Sequence, residues 1–276
     1  MAIDLKIKAM AVITKVVIAP SENLYTQVLR DFFEEFARLT LFAVRFLKEL
    51  IKPPHEINEL LKQCFLIGYK SFPLVVITGF IMGLVLTIQS RPTLAEFGAE
   101  SWLPAMVAIS IIREIGPVIT ALIFAGKVGS GIGAELASMK ATEQIDAMEV
   151  SGINPFKYLV VTRILSTTLM LPVLVILADA ISLYGAYVGV NLQGDVSFHL
   201  FFLEIFAKLS FSDVFPAVIK TFFFGFSVGL IGCYKGYQAT LGTEGVGIAS
   251  NAAVVHGSLS IFIIDMIAVQ ITSLFI

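Results

Sequence analysis

Charge is what this sequence has least of. Asp, Glu, Lys and Arg make up 14% of its 276 residues, while 57% are hydrophobic and the mean hydropathy is +0.88. A soluble domain carries roughly 25% charged residues. A deficit spread over the whole chain predicts an all-α, polytopic membrane protein. The formal net charge of -2 provides no basic face for nucleic acid. Cysteine is nearly absent too. Cys64 and Cys233 lie far apart, form no redox or metal spacing, and read as small apolar residues in helices. The three histidines, His55, His199 and His256, form no H-x-x-x-H pair, so a catalytic metal is not expected. No G-x-x-x-x-G-K-[ST] stretch occurs, so the chain has no ATPase motif and calls for no cofactor of its own. Any uphill transport must draw on another chain or on an ion gradient. The N-terminus, "MAIDLKIKAMAVITKVVIAPSEN", has a lysine inside its only apolar run. It therefore lacks the uninterrupted core of a cleaved signal peptide and is expected to stay in the cytoplasm.

What the chain has is apolar helix. Residues 28–52 are amphipathic: Leu29, Phe32, Phe33, Phe36, Leu39, Ala43, Phe46, Leu47 and Leu50 recur at three- and four-residue steps. Charged residues occupy the other face. This pattern predicts a helix lying in the membrane interface, or one packed on a soluble subunit. Five spans follow, at about 62–90, 102–126, 156–190, 214–235 and 247–275. Lys48, Lys52, Lys62 and Lys70 precede or open the first span, Lys127, Lys140, Lys157 and Arg163 flank the connection after the second, and Lys235 follows the fourth. The other two connections carry only Arg91 and Lys208. The lysine and arginine bias therefore places the N-terminus in the cytoplasm and the C-terminus outside it.

Charges also fall inside the spans. Arg113 and Glu114 sit in the second, with twelve uncharged residues on each side, Asp179 in the third, Lys220 in the fourth and Asp265 in the fifth. Such charges normally face a protein interior or a wet cavity and pair with one another. They read either as ion pairs that fix helix register or as a polar wall for a passenger with a charged head. Lys220 has a stem long enough to snorkel. Gly116-Pro117, directly after the charged pair, predicts a break of the second span into two halves. Gly79-x-x-x-Gly83 and Gly225-x-x-x-Gly229 predict close helix contacts.

The stretch "AGKVGSGIGAELASMKATEQIDAMEVSG" (125–152) holds four glycines in eight residues and then turns acidic. It follows a membrane helix, not a strand, and its spacing is G-x-G-x-G, which excludes a dinucleotide fingerprint. The glycines are expected to allow tight packing where the span meets the cytoplasm. "ATEQIDAMEVSG" predicts a helix of two to three turns, about 142–151, with Thr142 as N-cap and Gly152 ending it in a left-handed conformation. Asn154-Pro155 predicts the start of the next helix. Ile145 and Met148 form a small apolar stripe, with Asp146 and Glu149 on another face. This pattern fits a docking knob for a basic-rimmed partner; a purely solvated helix would need no such stripe.

Over roughly residues 28–276 the chain resembles the MlaE/YrbE permeases, the membrane subunits of ABC transporters associated with MCE proteins. The likeness rests on "REIGPVITALIFAGKVGSGIGAELASMKATEQIDAMEVSGINPFKYLVVTR", from Arg113, and on "TEGVGIASNAAVVHGSLSIFIIDM", Thr243 to Met266. The resemblance implies a homodimeric permease in the bacterial inner membrane: an interfacial helix (28–52), a permease domain over 53–276, and an N-terminal extension, 1–27, longer than is typical of the family. It implies two cytoplasmic ATPases that bind ATP and Mg, a periplasmic MCE-domain hexamer, a small STAS-domain protein reached through the ATPase, and phospholipid as cargo moving between the inner and outer membranes to maintain outer-membrane asymmetry. By the same resemblance, Glu143, Gln144, Ile145, Asp146, Met148 and Glu149 form the ATPase-coupling helix. Arg113 and Glu114 fall beside the lipid cavity at the dimer centre, with Leu84, Ile88 and Gln89 lining it, and Asp265 is the family's aspartate in the last span. Thr162 stands where members commonly have proline, which would relax the start of the third span.

Two rivals remain at this level. An ion-coupled secondary carrier of a hydrophobic or anionic substrate would use the charges within the spans, and it predicts transport driven by a gradient without ATP. A membrane enzyme acting on lipids would need a nucleophile and base, and neither Ser130 nor Ser138 has a histidine near it in sequence.

Overall fold

In the computed structural model, residues 24–53, 56–192, 194 and 196–274 are described, without the side chains of 24–29, 31 and 32. The described residues are almost entirely helical and contain no strand. The chain divides into two units between Arg45 and Phe46. The division falls inside the first helix, α1 (Leu24–Ile51). This helix starts four residues earlier than the sequence predicts. Most of the expected extension, 1–23, lies outside the described residues. In the first unit Arg38 Nη2 bonds Glu34 Oε1 at 2.5 Å, one turn away. That hydrogen bond, and the guanidinium charge behind it, hold the Glu34 carboxyl below its ordinary value.

Among the described residues of the second unit, five helical stretches are long and apolar enough to cross a membrane: Ile57–Glu96, Glu100–Ala141, Phe156–Asn191, Phe211–Tyr237 and Thr243–Ser273. Their number, length and apolarity are those of a polytopic, all-α membrane protein. The first, α2, has 40 residues. At 1.5 Å per residue it runs about 60 Å, twice the hydrocarbon thickness. The second stretch also outruns its expected end at residue 126. It comprises α3 (Leu103–Ser110), α4 (Gly116–Phe124) and α5 (Ser130–Ala141), joined by π-helical turns at Ile111–Ile115 and Ala125–Gly129.

Gly116-Pro117 therefore does not break the span. Pro117 has no N–H to give, and the Gly116 N–H reaches five residues back to the Ile111 carbonyl. The helix widens for one turn and continues, which keeps the backbone paired in an apolar setting. The glycine run behaves likewise and stays helical. A short helix, α6 (Gln144–Val150), follows. Then come α7 (Thr162–Asn191), entered through a third π turn at Phe156–Val161, α8 (Phe198–Lys208), α9 (Phe211–Tyr237) and α10 (Thr243–Ser273).

Sequence reasoning missed α8. Ser197 caps it, accepting the Leu200 N–H at 3.3 Å. Phe201 and Ile205 bury against Leu103, Val107 and Leu183. The signal was present as a Ser cap before an i, i+4 apolar pair. The fourth span begins at Phe211 rather than at residue 214 because Ser210 and Asp213 form a reciprocal capping box.

α2 lies along α7, α7 along α9, and α10 against α9 and α5. Small residues set these approaches. A Cβ on Gly83 would stand 1.8 Å from the Ser182 carbonyl oxygen, and one on Gly185 would stand 2.3 Å from that of Phe80. The Gly79 and Gly225 motifs are packing devices of the same kind: a Cβ there would come 3.0 Å from the Ala178 oxygen and 2.5 Å from the Thr167 oxygen, respectively.

Candidate functional site

The charges within the spans converge, but not in the pairs that adjacency suggests. Arg113 and Glu114 occupy the π turn and go to different partners. Arg113 Nε lies 3.5 Å from Asp213 Oδ1 in the first turn of α9. Glu114 Oε2 accepts from Lys220 Nζ at 2.7 Å, and the same ammonium donates to Asp265 Oδ1 at 2.9 Å. Lys220 therefore does not snorkel. Its side chain is only 5% exposed, because carboxylates from two neighbouring helices meet it at mid-helix. One buried cation bridging two carboxylates is stable only while all three members are present.

Asp179 stays outside this network. Its Oδ1 is buried and has no hydrogen-bond partner among the described residues. It rests where a Gly116 Cβ would be, 1.9 Å from that position. Gly116 is thus required for a reason that its sequence context did not disclose: the Asp179 carboxylate occupies its missing side chain.

Arg113, Glu114, Asp213 and Lys220 line a recess of about 420 Å³, with Ser110 and Thr272 among its other polar groups. An apolar groove of about 630 Å³ adjoins it, sharing Pro216, Lys220 and Ala268, and is walled by Phe211, Phe215, Ile219, Phe223 and Ile271. A charged chamber beside an aromatic and aliphatic one matches an amphiphile better than an ion or a wholly apolar molecule. Leu84, Ile88 and Gln89 lie on α2 and are not among the lining residues of either cavity. Asp213 was missed in sequence because it sits at a span's mouth. The S-x-x-D box around it was the available signal.

The other end of the bundle carries α6. Thr142 does not cap it. The Thr142 hydroxyl donates back to the Ser138 carbonyl at 2.8 Å and closes α5 instead. The turn is made by Glu143, at φ 57°, the one non-glycine residue with positive φ among those described. Gly152 ends the helix at φ 79°, with its N–H on Glu149 and the Ile153 N–H on Met148. Asn154 Oδ1 accepts the Lys157 N–H at 3.2 Å and opens the next stretch. The apolar stripe faces inward: Ile145 is buried and Met148 half-buried. The outward face is Gln144, Asp146, Glu149 and a Val150 that is 91% exposed.

Beneath α6 the helices are sewn together by glycine. A Gly236 Cβ would fall 2.7 Å from the Gly133 carbonyl oxygen, and a Gly232 Cβ 3.0 Å from that of Gly129. Gly126 and Gly131, in contrast, face open space. Arg163, 3% exposed, donates to Glu135 at 2.8 Å and to the Leu159 carbonyl at 2.9 Å. Lys157 is buried as well and reaches the Lys52 carbonyl. Both had served in sequence only as markers of sidedness. Thr162 bonds the Tyr158 carbonyl at 2.6 Å, directly after the π turn that opens the third span.

The sequence pattern described as permease MlaE matches residues 60–271. The chain belongs to the MlaE permease family. Family relatives cover nearly the whole chain. The Haemophilus influenzae protein named intermembrane phospholipid transport system permease protein MlaE is 35% identical over 87% of this chain and 93% of its own length. A probable ABC transporter permease protein of Rickettsia typhi is also 35% identical, over the same shares. One from Pyropia yezoensis is 33% identical over 87% of this chain and 91% of its own.

Proposed function

We propose that this chain is the permease subunit of an ABC transporter that moves phospholipids between the inner and outer membranes of a bacterium, maintaining outer-membrane lipid asymmetry. The observation that carries this reading is the charged recess opening beside an apolar groove at the end of the bundle opposite α6. The name of the Haemophilus relative supports the choice of cargo. Two copies of the chain enclose the transport cavity, with Arg113 and Glu114 as its polar wall and Leu84, Ile88 and Gln89 along its side. The N-terminus and α6 face the cytoplasm, and the C-terminus faces the periplasm, as the lysine and arginine bias supports. There α6 meets a cytoplasmic ATPase, which binds ATP and Mg and carries a small STAS-domain protein. An MCE-domain hexamer receives or delivers lipid at the periplasmic face.

The mechanism is mechanical. Closure of the ATPases pushes α6 through its acidic face, Glu143, Gln144, Asp146 and Glu149, while Ile145 and Met148 root α6 in its own bundle. The glycine seams between α5, α9 and α10 have no slack, so the push moves these helices as a block. α9 and α10 carry Lys220 and Asp265 in their halves away from α6, and the recess changes shape.

Mass spectrometry of what accompanies the chain when it is gently extracted from its own membrane tests the proposal. An ATPase, an MCE-domain protein and phospholipid are expected together. A chain without an ATPase even after cross-linking would overturn it. One observation favours a second reading, an ion-coupled carrier. The partnerless Asp179 oxygen is a group that a proton or cation could occupy. Transport by the chain alone in vesicles, driven by a gradient without ATP, is the result that reading requires.

A further inference from the structure

Eight of the eleven residues of α8 (Phe198–Lys208) are apolar, yet the helix buries only Phe201 and Ile205. Phe198, Leu200, Leu203 and Phe206 remain exposed, Phe206 to 68%. A helix apolar on nearly every side is normally enclosed by protein or lipid. Its neighbours fix its height on the bundle. Phe201 and Ile205 pack with Leu103 and Val107 of α3, and Tyr187 of α7 meets the rings of Phe198 and Phe201 edge-on at 5.2 and 5.6 Å. Leu103 lies 24 residues before Lys127, and Val107 lies 20 before it. Lys127 reaches the Lys70 carbonyl, so two exposed cations mark one level at the α6 end of the spans. At 1.5 Å per residue, Val107 and Leu103 stand about 30 and 36 Å from that level. That range covers the far edge of the hydrocarbon and the headgroup layer beyond it.

The groups around α8 have the chemistry of that layer. Trp102, the chain's one tryptophan, is exposed, and the Lys208 ammonium lies 4.6 Å from its ring centre. Lys208 makes no ion pair among the described residues. The Trp102 indole N–H and the Tyr184 and Tyr187 hydroxyls have no hydrogen-bond partner among them either. Aromatic rings with apolar bodies and unpaired polar tips, beside an unpaired ammonium, suit the boundary where acyl chains end and phosphates begin. A protein partner would be met by a polar rim around the apolar patch. The exposed face that carries Leu200, Leu203 and Phe206 offers only His199.

We propose that α8 anchors the chain to a phospholipid surface. It lies in the bilayer interface on the side away from α6, with Leu200, Leu203 and Phe206 among the headgroup ends of the acyl chains and Lys208 at the phosphates. Only Leu209 and Ser210 separate α8 from α9, so the leaflet that holds α8 also fixes where the fourth span begins. The test uses the full chain reconstituted in phosphatidylcholine vesicles. Because Trp102 is the sole tryptophan, W102F combined with F206W leaves one indole, on the exposed face of α8. Its emission should be blue-shifted and little affected by acrylamide in the water. Lipids brominated near the carbonyl end of their acyl chains should remove most of it, and lipids brominated near the methyl end much less. Should that variant fail to fold, L203W combined with W102F reads the same face. Quenching by acrylamide with no loss to either brominated lipid would place α8 in water and overturn the proposal. So would shielding that arises only when an extracytoplasmic partner protein is added. Strongest loss to bromine near the methyl end would place α8 deep in the hydrocarbon and overturn it as well.

Discussion

The two ends of the bundle solve opposite problems. At the α6 end, α5, α9 and α10 close on one another through glycine, with backbone atoms of one helix where side chains of the next would be. At the recess end charged side chains join α9 and α10 to the π turn at Ile111–Ile115: Lys220 from α9 to Glu114 and Asp265, Arg113 to Asp213. One end is held by shape and the other by charge. Shape contacts are rigid and insensitive to neighbours' titration. Charge contacts at a cavity wall can be exchanged for contacts to a passenger. A device that is pushed at one end and changes shape at the other needs that division.

The contrast can be broken most severely at Lys220. K220M strands Glu114 and Asp265 in the bundle without their shared cation, and should cost about 3–5 kcal/mol, read as a lower thermal unfolding midpoint in detergent. Adding E114Q and D265N to K220M should recover most of the loss, because no uncompensated charge remains. Failure of that rescue would mean that packing, not charge, holds the recess end. Next in size is G236L, which forces a side chain into the Gly133 carbonyl and Leu136. It should cost about 3 kcal/mol by overpacking, and its effect should not change between low and high salt. A smaller change of opposite sign is expected of E143G, which removes the left-handed strain at φ 57° and should stabilise the chain by about 1 kcal/mol. Smallest for stability is D146K with E149K. Both residues are exposed, so unfolding should move by less than about 0.5 kcal/mol, while pull-down of the ATPase is lost. Retained ATPase binding by that variant would show that α6 is not the docking element.

Much of the fold was legible beforehand. Charge scarcity and five long apolar runs gave the class and the number of spans, since backbone in lipid has few options besides helix. Gly152 and Asn154 were legible because caps act within a few residues of themselves. Span ends were not. The second span runs on to Ala141 because Gly129 and Gly133 face partner helices, which supply the contacts a glycine-rich helix lacks alone. Arg113 and Glu114 were recognised as a site, yet their partners were missed. Asp213 and Lys220 are about a hundred positions away, and only packing decides which charges meet.

By itself, then, the sequence determined what each segment had to be: apolar helix where lipid is the solvent, a capped acidic helix between two spans, glycine at the closest helix approaches. Those choices follow from the residue and its near neighbours. Only the tertiary structure decided that Lys220 is buried between two carboxylates instead of reaching for the interface, that Ile145 anchors α6 inward, and that Asp179 fills the space Gly116 leaves empty. Each of these turns on which atom of a distant helix lies within a few ångströms, and no local property of a chain encodes that.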